Sequence, residues 1–217
     1  MTPIKIKGIT ADLPYMTLDK GQAIYDLIVQ HGLKSCLELG FYHGVSSLYI
    51  AGALEDIGGG KLFTVDKINA RELRPNIFEL LEKADLAQYV EQFFEPRSFT
   101  WRLMKFLQQG RQETFDFCYL DAGHSWDTTG FAFFLVARLL KPGGWIIFDD
   151  LNWSYARSPK LKDSAAVAAM AEDERTTPQV RRVFELLVKT DPDFTLTFEL
   201  NGWGYAQKGT LRLRAGL

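Results

Sequence analysis

The chain has 217 residues, of which 47% are hydrophobic and 24% are charged, and its formal net charge is −2. This composition is that of a globular protein with a substantial core. The balance of charges excludes a protein that binds nucleic acid mainly through a basic surface. The most apolar stretch, residues 131–140, is far shorter than the roughly 18 residues that a membrane span requires. We therefore expect neither a nucleic-acid partner nor a membrane partner.

The cysteines and the first residues indicate the compartment. Cys36 and Cys118 are the only cysteines, and each lies in an apolar, strand-like run. Two buried thiols in a reducing compartment explain this usage better than a disulfide framework does. The first ten residues lack the apolar run of a signal peptide. The sequence therefore predicts a cytoplasmic protein.

The first half of the chain alternates helical and strand patterns. Ile24, Leu27 and Ile28 share one helical face, and the apolar run that begins at Ser35 has the length of a buried strand. The alternation of helical spacing and short apolar runs continues as far as residue 120. The predicted helices are 18–31, 46–54, 71–85 and 98–109, and the predicted strands are 35–39, 61–66, 89–94 and 115–120.

The second half continues the alternation and ends differently. A helix over 127–140 is expected to stop at Lys141-Pro-Gly-Gly144, which turns the chain into a strand over 145–148. The polar stretch 151–176 is a candidate lid with a short helix near 164–171. Apolar spacing after Thr177-Pro178 predicts a further helix. The last two strands, 194–200 and 204–207, are too close in sequence for a crossover and should form an antiparallel hairpin.

These elements predict one α/β domain over residues 1–217, with an N-terminal helical cap over 1–33 and the candidate lid over 151–176. The sheet should be doubly wound and mostly parallel, with seven strands, helices on both faces and a C-terminal antiparallel hairpin. Ligands of such sheets bind at the carboxyl ends of the strands. The residues that follow each strand are therefore the candidate site residues.

The turn after the first strand reads Glu38-Leu-Gly40-Phe-Tyr-His-Gly44. It departs from the dinucleotide fingerprint, because Tyr42 stands where a pyrophosphate needs a bare backbone. S-adenosylmethionine has no phosphate, and its cationic groups and ribose diol suit acidic residues. Glu38 and Asp66 supply that negative charge. The alternative is that both glycines only form a tight turn, which Glu38 caps.

Three motifs, ELGFYHG, LFTVD and LKPGGWIIFDD, resemble those of class I S-adenosylmethionine-dependent methyltransferases. The resemblance covers most of the chain and implies a Rossmann-like methyltransferase fold. It also implies that Glu38, Gly40 and Gly44 lie at the methionine end of the cofactor and that Asp66 holds the ribose hydroxyls. Ser98 follows the third strand, where members of the family surround the adenine.

Acidic residues and a histidine follow the fourth and fifth strands. Asp121 and His124 come after one, and Asp149 and Asp150 come after the other. Three carboxylates repel one another unless a positive charge joins them, and their hard oxygen atoms favour Mg²⁺, Mn²⁺ or Ca²⁺. The alternative is that Asp121 binds only the amino group of the cofactor, that one of the paired aspartates caps a helix, and that His124 hydrogen-bonds a loop.

The same residues resemble those of metal-dependent O-methyltransferases of the catechol type and, more closely, of the type that methylates macrolide sugars. The resemblance implies that Asp121, Asp149 and Asp150 hold the metal, that Asp121 also contacts the cofactor, and that His124 is the general base. Asp150 departs from the catechol type, which has asparagine there. The implied activity is divalent-metal-dependent O-methylation of a small hydroxylated acceptor, such as a sugar or a natural product.

Two other functions stay open at this point. One is a metal-free methyltransferase that acts on the nitrogen or oxygen of a small molecule. The other is a non-catalytic protein that binds the cofactor. The sequence names neither the acceptor nor the oligomeric state, and a homo-oligomer is compatible with it.

Overall fold

The computed structural model describes residues 1–210, so the last seven residues of the predicted domain lie outside the described part. A seven-stranded sheet has the order β3-β2-β1-β4-β5-β7-β6. Strands β1 to β5 pair in parallel, and β7 runs antiparallel to both β5 and β6. The strands are β1 Ser35–Leu39, β2 Lys61–Lys67, β3 Val90–Glu95, β4 Phe115–Leu120, β5 Leu140–Phe148, β6 Phe194–Leu200 and β7 Trp203–Lys208. The predicted fold class is confirmed.

Helices connect the parallel strands and precede the first of them. The described α-helices are α1 Pro3–Ile9, α2 Leu18–His31, α3 Val45–Asp56, α4 Ile77–Lys83, α5 Phe99–Gln108, α6 Trp126–Leu139, α7 Ala165–Ala168, α8 Glu172–Thr176 and α9 Gln179–Val183. A π-helical turn, Phe184–Val188, continues α9. Within residues 1–210, none of these helices combines the length and the hydropathy needed to cross a bilayer.

Two apolar cores lie on opposite faces of the sheet, because successive side chains of a strand point to opposite faces. On β1, Cys36 packs with the core that includes α2 and α3, whereas Leu37 packs with the core that includes α5 and α6. On β4, Tyr119 and Cys118 divide in the same way. Both cysteines are free and buried, as predicted.

The predicted helix over 71–85 is wrong in its first half. Residues 68–72 form a 3₁₀ turn, and α4 begins only after Asn76. Pro75 disfavours helical backbone at Arg74. The Asn76 side chain then accepts from the amides of Phe78 and Glu79, and the Glu79 carboxylate accepts from the Asn76 amide. This reciprocal capping box fixes the helix start at a position that apolar spacing alone does not mark.

The bounds of β5 include Lys141-Pro-Gly-Gly144, so the strand begins five residues earlier than predicted, but the register with β4 gives these four residues no partner and resumes at Trp145. Strand β5 begins at Leu140, directly after α6, and its register with β4 shifts between Phe115 and Phe117. The Lys141 ammonium lies 2.6 Å from an Asp116 carboxylate oxygen on β4. Leu140 pairs with Phe115 and Trp145 pairs with Phe117, so the residues between them interrupt the ladder, and Gly143 there has a φ of +81°. The turn preference of proline and glycine is thus retained within the strand.

The stretch over 151–176 contains a 3₁₀ turn at Tyr155–Arg157 and the short helices α7 and α8. The predicted helix near 164–171 corresponds to α7, which is shorter and begins directly after the cap residue Ser164. The predicted hairpin is present, and Asn201-Gly202 joins its strands. These segments border the carboxyl ends of β4 and β5, where the predicted site residues lie.

Candidate active site

Four strand ends bring the predicted site residues to one edge of the sheet. The amide of Gly40 donates to the Val65 carbonyl at 2.8 Å, and the amide of Asp121 donates to the Leu39 carbonyl at 2.9 Å. The amide of Asp149 continues the ladder on the far side of β4, where it donates to the Leu120 carbonyl at 3.0 Å. Gly40, Asp121 and Asp149 thus follow directly on the last paired residues of β1, β4 and β5.

Asp66 holds the glycine-containing loop. One oxygen of its carboxylate accepts from the amides of Phe41 and Tyr42, at 2.9 and 2.7 Å, and the other accepts from the amide of Lys67. Tyr42 is in the left-handed region, with φ of 50°, and its ring is partly exposed. Asp66, which is predicted to hold the ribose, therefore also fixes the conformation of the loop between Gly40 and Gly44.

Gly40 lies where the loop passes closest to β4. Its φ is +88°, and a Cβ built on it would lie 2.2 Å from the Asp121 carbonyl oxygen. The other predicted glycine, Gly44, has a φ of +100° and precedes α3. A side chain at residue 40 would push the loop away from the strand end that carries Asp121.

We expect Gly40→Ala to lower the free energy of unfolding by about 2–4 kcal/mol, because backbone strain and a steric clash add. Gly58→Ala is the matched control, since Gly58 also has positive φ, +76°, but no atom lies within 4 Å of its built Cβ. It should cost only about 1–2 kcal/mol. Equal losses for the two variants in urea denaturation would contradict the close approach at Gly40.

Glu38 is completely buried between three elements. Its carboxylate on β1 accepts from the hydroxyl of Ser47 on α3 and, at 2.6 Å, from that of Thr64 on β2. Burial raises the pKa of Glu38 to about 7. The hydroxyl groups that hydrogen-bond to the carboxylate oppose this rise and only partly offset it. The structure thus places this residue as a link between β1, β2 and α3, and its contact with a cofactor stays a prediction.

The Glu38 pKa predicts a pH-dependent stability. Between pH 4.5 and about 7 the folded protein retains a proton that the unfolded chain releases, so the contribution of Glu38 to stability falls as pH rises through this window. Relative to the wild type, Glu38→Gln should gain about 3 kcal/mol between pH 4.5 and pH 8. Denaturant titrations at both pH values measure the difference, with the exposed Glu91→Gln as control. A pH-independent difference would refute the assignment.

Asp121, His124 and Asp150 form a compact cluster. One potential ligand atom from each lies within 4.8 Å of the others. His124 Nε2 is 3.0 Å from Asp150 Oδ2 and 3.7 Å from Asp121 Oδ1, and its ring packs on Trp153 at a centroid distance of 4.9 Å. The carboxylate oxygens of Asp121 and Asp150 are hard donors that suit a divalent cation, and the imidazole nitrogen of His124 lies beside them.

The cluster shifts the protonation of its members. Burial lowers the pKa of His124, but hydrogen bonds and charges from Asp121 and Asp150 outweigh burial and raise it to about 9. Burial, together with the charge of Asp149, raises the pKa of Asp121 to about 7, although His124 opposes this rise. The imidazolium of His124 therefore balances the negative charge of the cluster.

Asp149 lies beside this cluster and is not part of it. Its Oδ1 accepts from Lys20 Nζ at 2.8 Å, from the Asp150 amide at 2.6 Å and from the indole of Trp203. Its Oδ2 accepts from the Tyr119 hydroxyl. Both carboxylate oxygens are thus occupied by donors from the chain itself, so the structure brings together two of the three predicted metal ligands.

Sequence reasoning missed Lys20 as part of the site. It lies on α2, 129 residues before Asp149, and its ammonium also lies over the Trp203 ring. No motif in the sequence points to this lysine, because packing of α2 against the sheet edge creates the contact. Ser98 caps α5 through a hydrogen bond from the Thr100 amide, and its predicted contact with adenine stays a prediction.

Comparisons with known proteins agree with this fold. The family model described as "Methyltransferase domain" matches residues 37–151. Caffeoyl-CoA O-methyltransferase 1 of Eucalyptus globulus is 28% identical over 163 residues, covering 70% of this chain and 61% of that protein. Caffeoyl-CoA O-methyltransferase 2 of Petunia hybrida is 30% identical over 160 residues, covering 70% and 62%. The chain thus spans about three fifths of the length of these curated relatives.

Solved structures show the same fold. The O-methyltransferase TomG from Streptomyces achromogenes, in complex with SAM, has a TM-score of 0.69 at 22% identity, over 95% of this chain and 89% of that one. An O-methyltransferase from Bacillus cereus, in complex with SAH, has a TM-score of 0.67 at 21% identity, over 95% and 90%. Since the family model covers more than half of the sequence, the predicted resemblance is confirmed: the chain belongs to the methyltransferase domain family.

Proposed function

We propose that this protein transfers the methyl group of S-adenosylmethionine to a hydroxyl oxygen of a small acceptor, with a divalent cation at the site. One observation carries the proposal, namely that Asp121, His124 and Asp150 converge directly beside the glycine-containing loop. The curated relatives named above are O-methyltransferases, which supports oxygen as the methyl acceptor.

The cofactor would lie across the loop from Gly40 to Gly44 and the end of β2. Asp66 has the charge and the position to accept from the ribose diol, as the class I resemblance implies. The exposed ring of Tyr42 occupies the place where a dinucleotide pyrophosphate would need bare backbone. The two related structures that hold SAM and SAH support the same cofactor here.

Asp121 and Asp150 would hold the cation, with Asp149 as the third predicted ligand. Asp149 could join them only if it gave up part of its contact with Lys20 or Trp203. A bound divalent cation supplies Lewis-acid chemistry that lowers the pKa of an acceptor hydroxyl. The hard oxygen donors on the two aspartates favour Mg²⁺, Mn²⁺ or Ca²⁺ over softer metals.

His124 is the proposed general base. The neighbouring carboxylates of Asp121 and Asp150 hold its ring protonated. Occupation of these carboxylates by a cation would remove that influence and leave the imidazole free to take the acceptor proton. Trp153 packs against the ring and restricts its orientation. Methyl transfer then needs orientation and exclusion of water more than covalent catalysis.

A metal-free methyltransferase is the second candidate, because Lys20 and His124 already compensate the acidic residues. A single assay separates the two candidates. We expect transfer of labelled methyl to a panel of small hydroxylated acceptors with Mg²⁺ present, and at least 100-fold less product after EDTA treatment, restored by added Mg²⁺. Full turnover in EDTA would favour the metal-free enzyme, and no product with any acceptor would contradict both.

A further inference from the structure

The two aspartates that follow β5 have different surroundings although they are adjacent in sequence. Asp150 Oδ2 lies 3.0 Å from His124 Nε2 and belongs to the acidic cluster. Asp149 is buried, and its donors Tyr119 and Trp203 belong to the apolar core that includes α2 and α3. The side chain of Asp149 is therefore directed to the α2 face of the sheet, beside the cluster but outside it.

Lys20 brings a positive charge to the surroundings of Asp149. Its ammonium lies 2.8 Å from Asp149 Oδ1 and 4.9 Å from the centroid of the Trp203 ring. Tyr119 and Trp203 are neutral donors on β4 and β7, whereas Lys20 reaches the carboxylate from a helix. Withdrawing one member of a shielded ion pair is costly, because the other charge is left uncompensated. The pair therefore opposes any movement of Asp149 toward the cluster.

The position of Lys20 in its helix runs against the local preference for charge. Lys20 lies in the first turn of α2, where its amide donates to the hydroxyl of the cap residue Thr17. The amino end of a helix carries a partial positive charge, which disfavours a lysine there. A Cβ built on the next residue, Gly21, would overlap the ring of Tyr49 on α3, so close packing fixes this turn at the sheet edge. The contact with Asp149 thus compensates for an unfavourable helix position.

We propose that Lys20 is a positioning residue that withholds Asp149 from the cation site and thereby sets the affinity of the site for divalent cations. The proposal rests on the metal-dependent function proposed above. With Lys20 in place, Asp121 and Asp150 are the carboxylates that can hold the cation. Without the ammonium, the charge of Asp149 is uncompensated and a third carboxylate becomes available. Loss of the ammonium also removes a charge that repels the cation, so both effects tighten binding.

Binding of Mn²⁺ tests the proposal without turnover. Mn²⁺ is titrated into the protein in the presence of S-adenosylhomocysteine, and electron paramagnetic resonance measures the free ion. Lys20→Met should lower the dissociation constant at least tenfold. Lys20→Arg should keep it within threefold of wild type, because a guanidinium retains the ion pair.

Lys34→Met is the matched control for the change in charge. Lys34 is exposed and directly precedes β1, at the opposite edge of the sheet from the strand ends that carry the cluster. Its substitution removes the same charge as Lys20→Met but leaves Asp149 with its partner. The dissociation constant for Mn²⁺ should stay within threefold of wild type.

The Asp149→Asn background separates the third ligand from the general effect of charge. There, Lys20→Met still removes the ammonium but frees no carboxylate, so its effect on Mn²⁺ affinity should be at least fivefold smaller than in the wild-type background. Added salt screens the remaining effect of charge. Water-proton relaxation supplies a second signature, because a third carboxylate displaces water from the ion. Bound Mn²⁺ should therefore hold fewer waters in Lys20→Met than in wild type.

Circular dichroism checks that the variants fold, and Lys20→Gln takes the place of Lys20→Met if the latter is unfolded. Unchanged or weaker Mn²⁺ binding in Lys20→Met would overturn the proposal, as would a tightening that is equally large in the Asp149→Asn background. If no variant binds Mn²⁺, the metal-dependent function fails together with it. If wild type binds Mn²⁺ and transfers methyl in an EDTA-sensitive manner while Lys20→Met binds no more tightly, only the role of Lys20 is refuted.

Discussion

His124→Gln is expected to lower kcat for methyl transfer by 100- to 10,000-fold, which is the usual effect of losing a positioned general base. Glutamine keeps a polar side chain of similar length but cannot accept and hold the proton near neutral pH. The affinity for S-adenosylmethionine should stay within threefold of wild type, because the contacts of His124 are with Asp121, Asp150 and Trp153 and not with the glycine-containing loop.

Initial-rate kinetics at saturating cofactor measure this effect, and calorimetry measures the affinity. His31→Gln is the control, since His31 lies at the exposed end of α2 and away from the strand ends that form the site. A kcat for His124→Gln within tenfold of wild type would show that the base lies elsewhere, whereas a large loss of cofactor affinity would assign His124 to binding.

Asp66→Asn is expected to weaken the binding of S-adenosylmethionine by about 10- to 100-fold. Loss of a hydrogen bond to a charged acceptor costs about 1.5–3 kcal/mol. Asparagine keeps one oxygen that can accept from the amides of Phe41 and Tyr42, so the loop should stay in place. Its amide group, however, can no longer accept a second hydroxyl of the ribose diol.

Asp66→Ala completes this experiment, because it removes both the acceptor for the ribose and the acceptor for the loop amides of Phe41 and Tyr42. Its free energy of unfolding should fall by about 1–3 kcal/mol more than that of Asp66→Asn, since two loop amides lose their acceptor. Calorimetric titration of the cofactor and urea denaturation provide the two measurements. Unchanged cofactor affinity in Asp66→Asn, together with a stability loss equal to that of Asp66→Ala, would limit Asp66 to a structural role in the loop.

The contact between Lys20 and Asp149 links the N-terminal helices to the site. The Lys20 side chain is 25% exposed and the Asp149 side chain is 7% exposed, so the pair is largely shielded from solvent. Asp149 also accepts from the amide of Asp150, whose φ is +57°. The donors around Asp149 therefore help to orient the neighbouring carboxylate of Asp150 toward His124.

The order of strands and helices follows from local pattern. A buried parallel strand is a short apolar run, and an amphipathic helix repeats its apolar residues every three or four positions. Both signals are readable without knowledge of the fold, as the runs at 35–39 and 115–120 show. Apolar spacing failed at the start of α4, where Pro75 and the capping box of Asn76 set the first residue of the helix. At 141–144 proline and the glycines interrupt the ladder between β4 and β5, as their turn preference predicts, although β5 already begins at Leu140.

The site residues, too, fall into those that the sequence predicted and those that only the structure revealed. Asp66, Asp121 and Asp150 were predicted from sequence, because each lies at or just after the end of an apolar strand and parallel strands end at a common edge. The sequence by itself also determined the family, through motifs at those strand ends. Only the tertiary structure decided that Lys20 engages Asp149 and that Glu38 is buried between three elements. These contacts join residues far apart in the chain, so side-chain packing and burial create them and no local pattern encodes them.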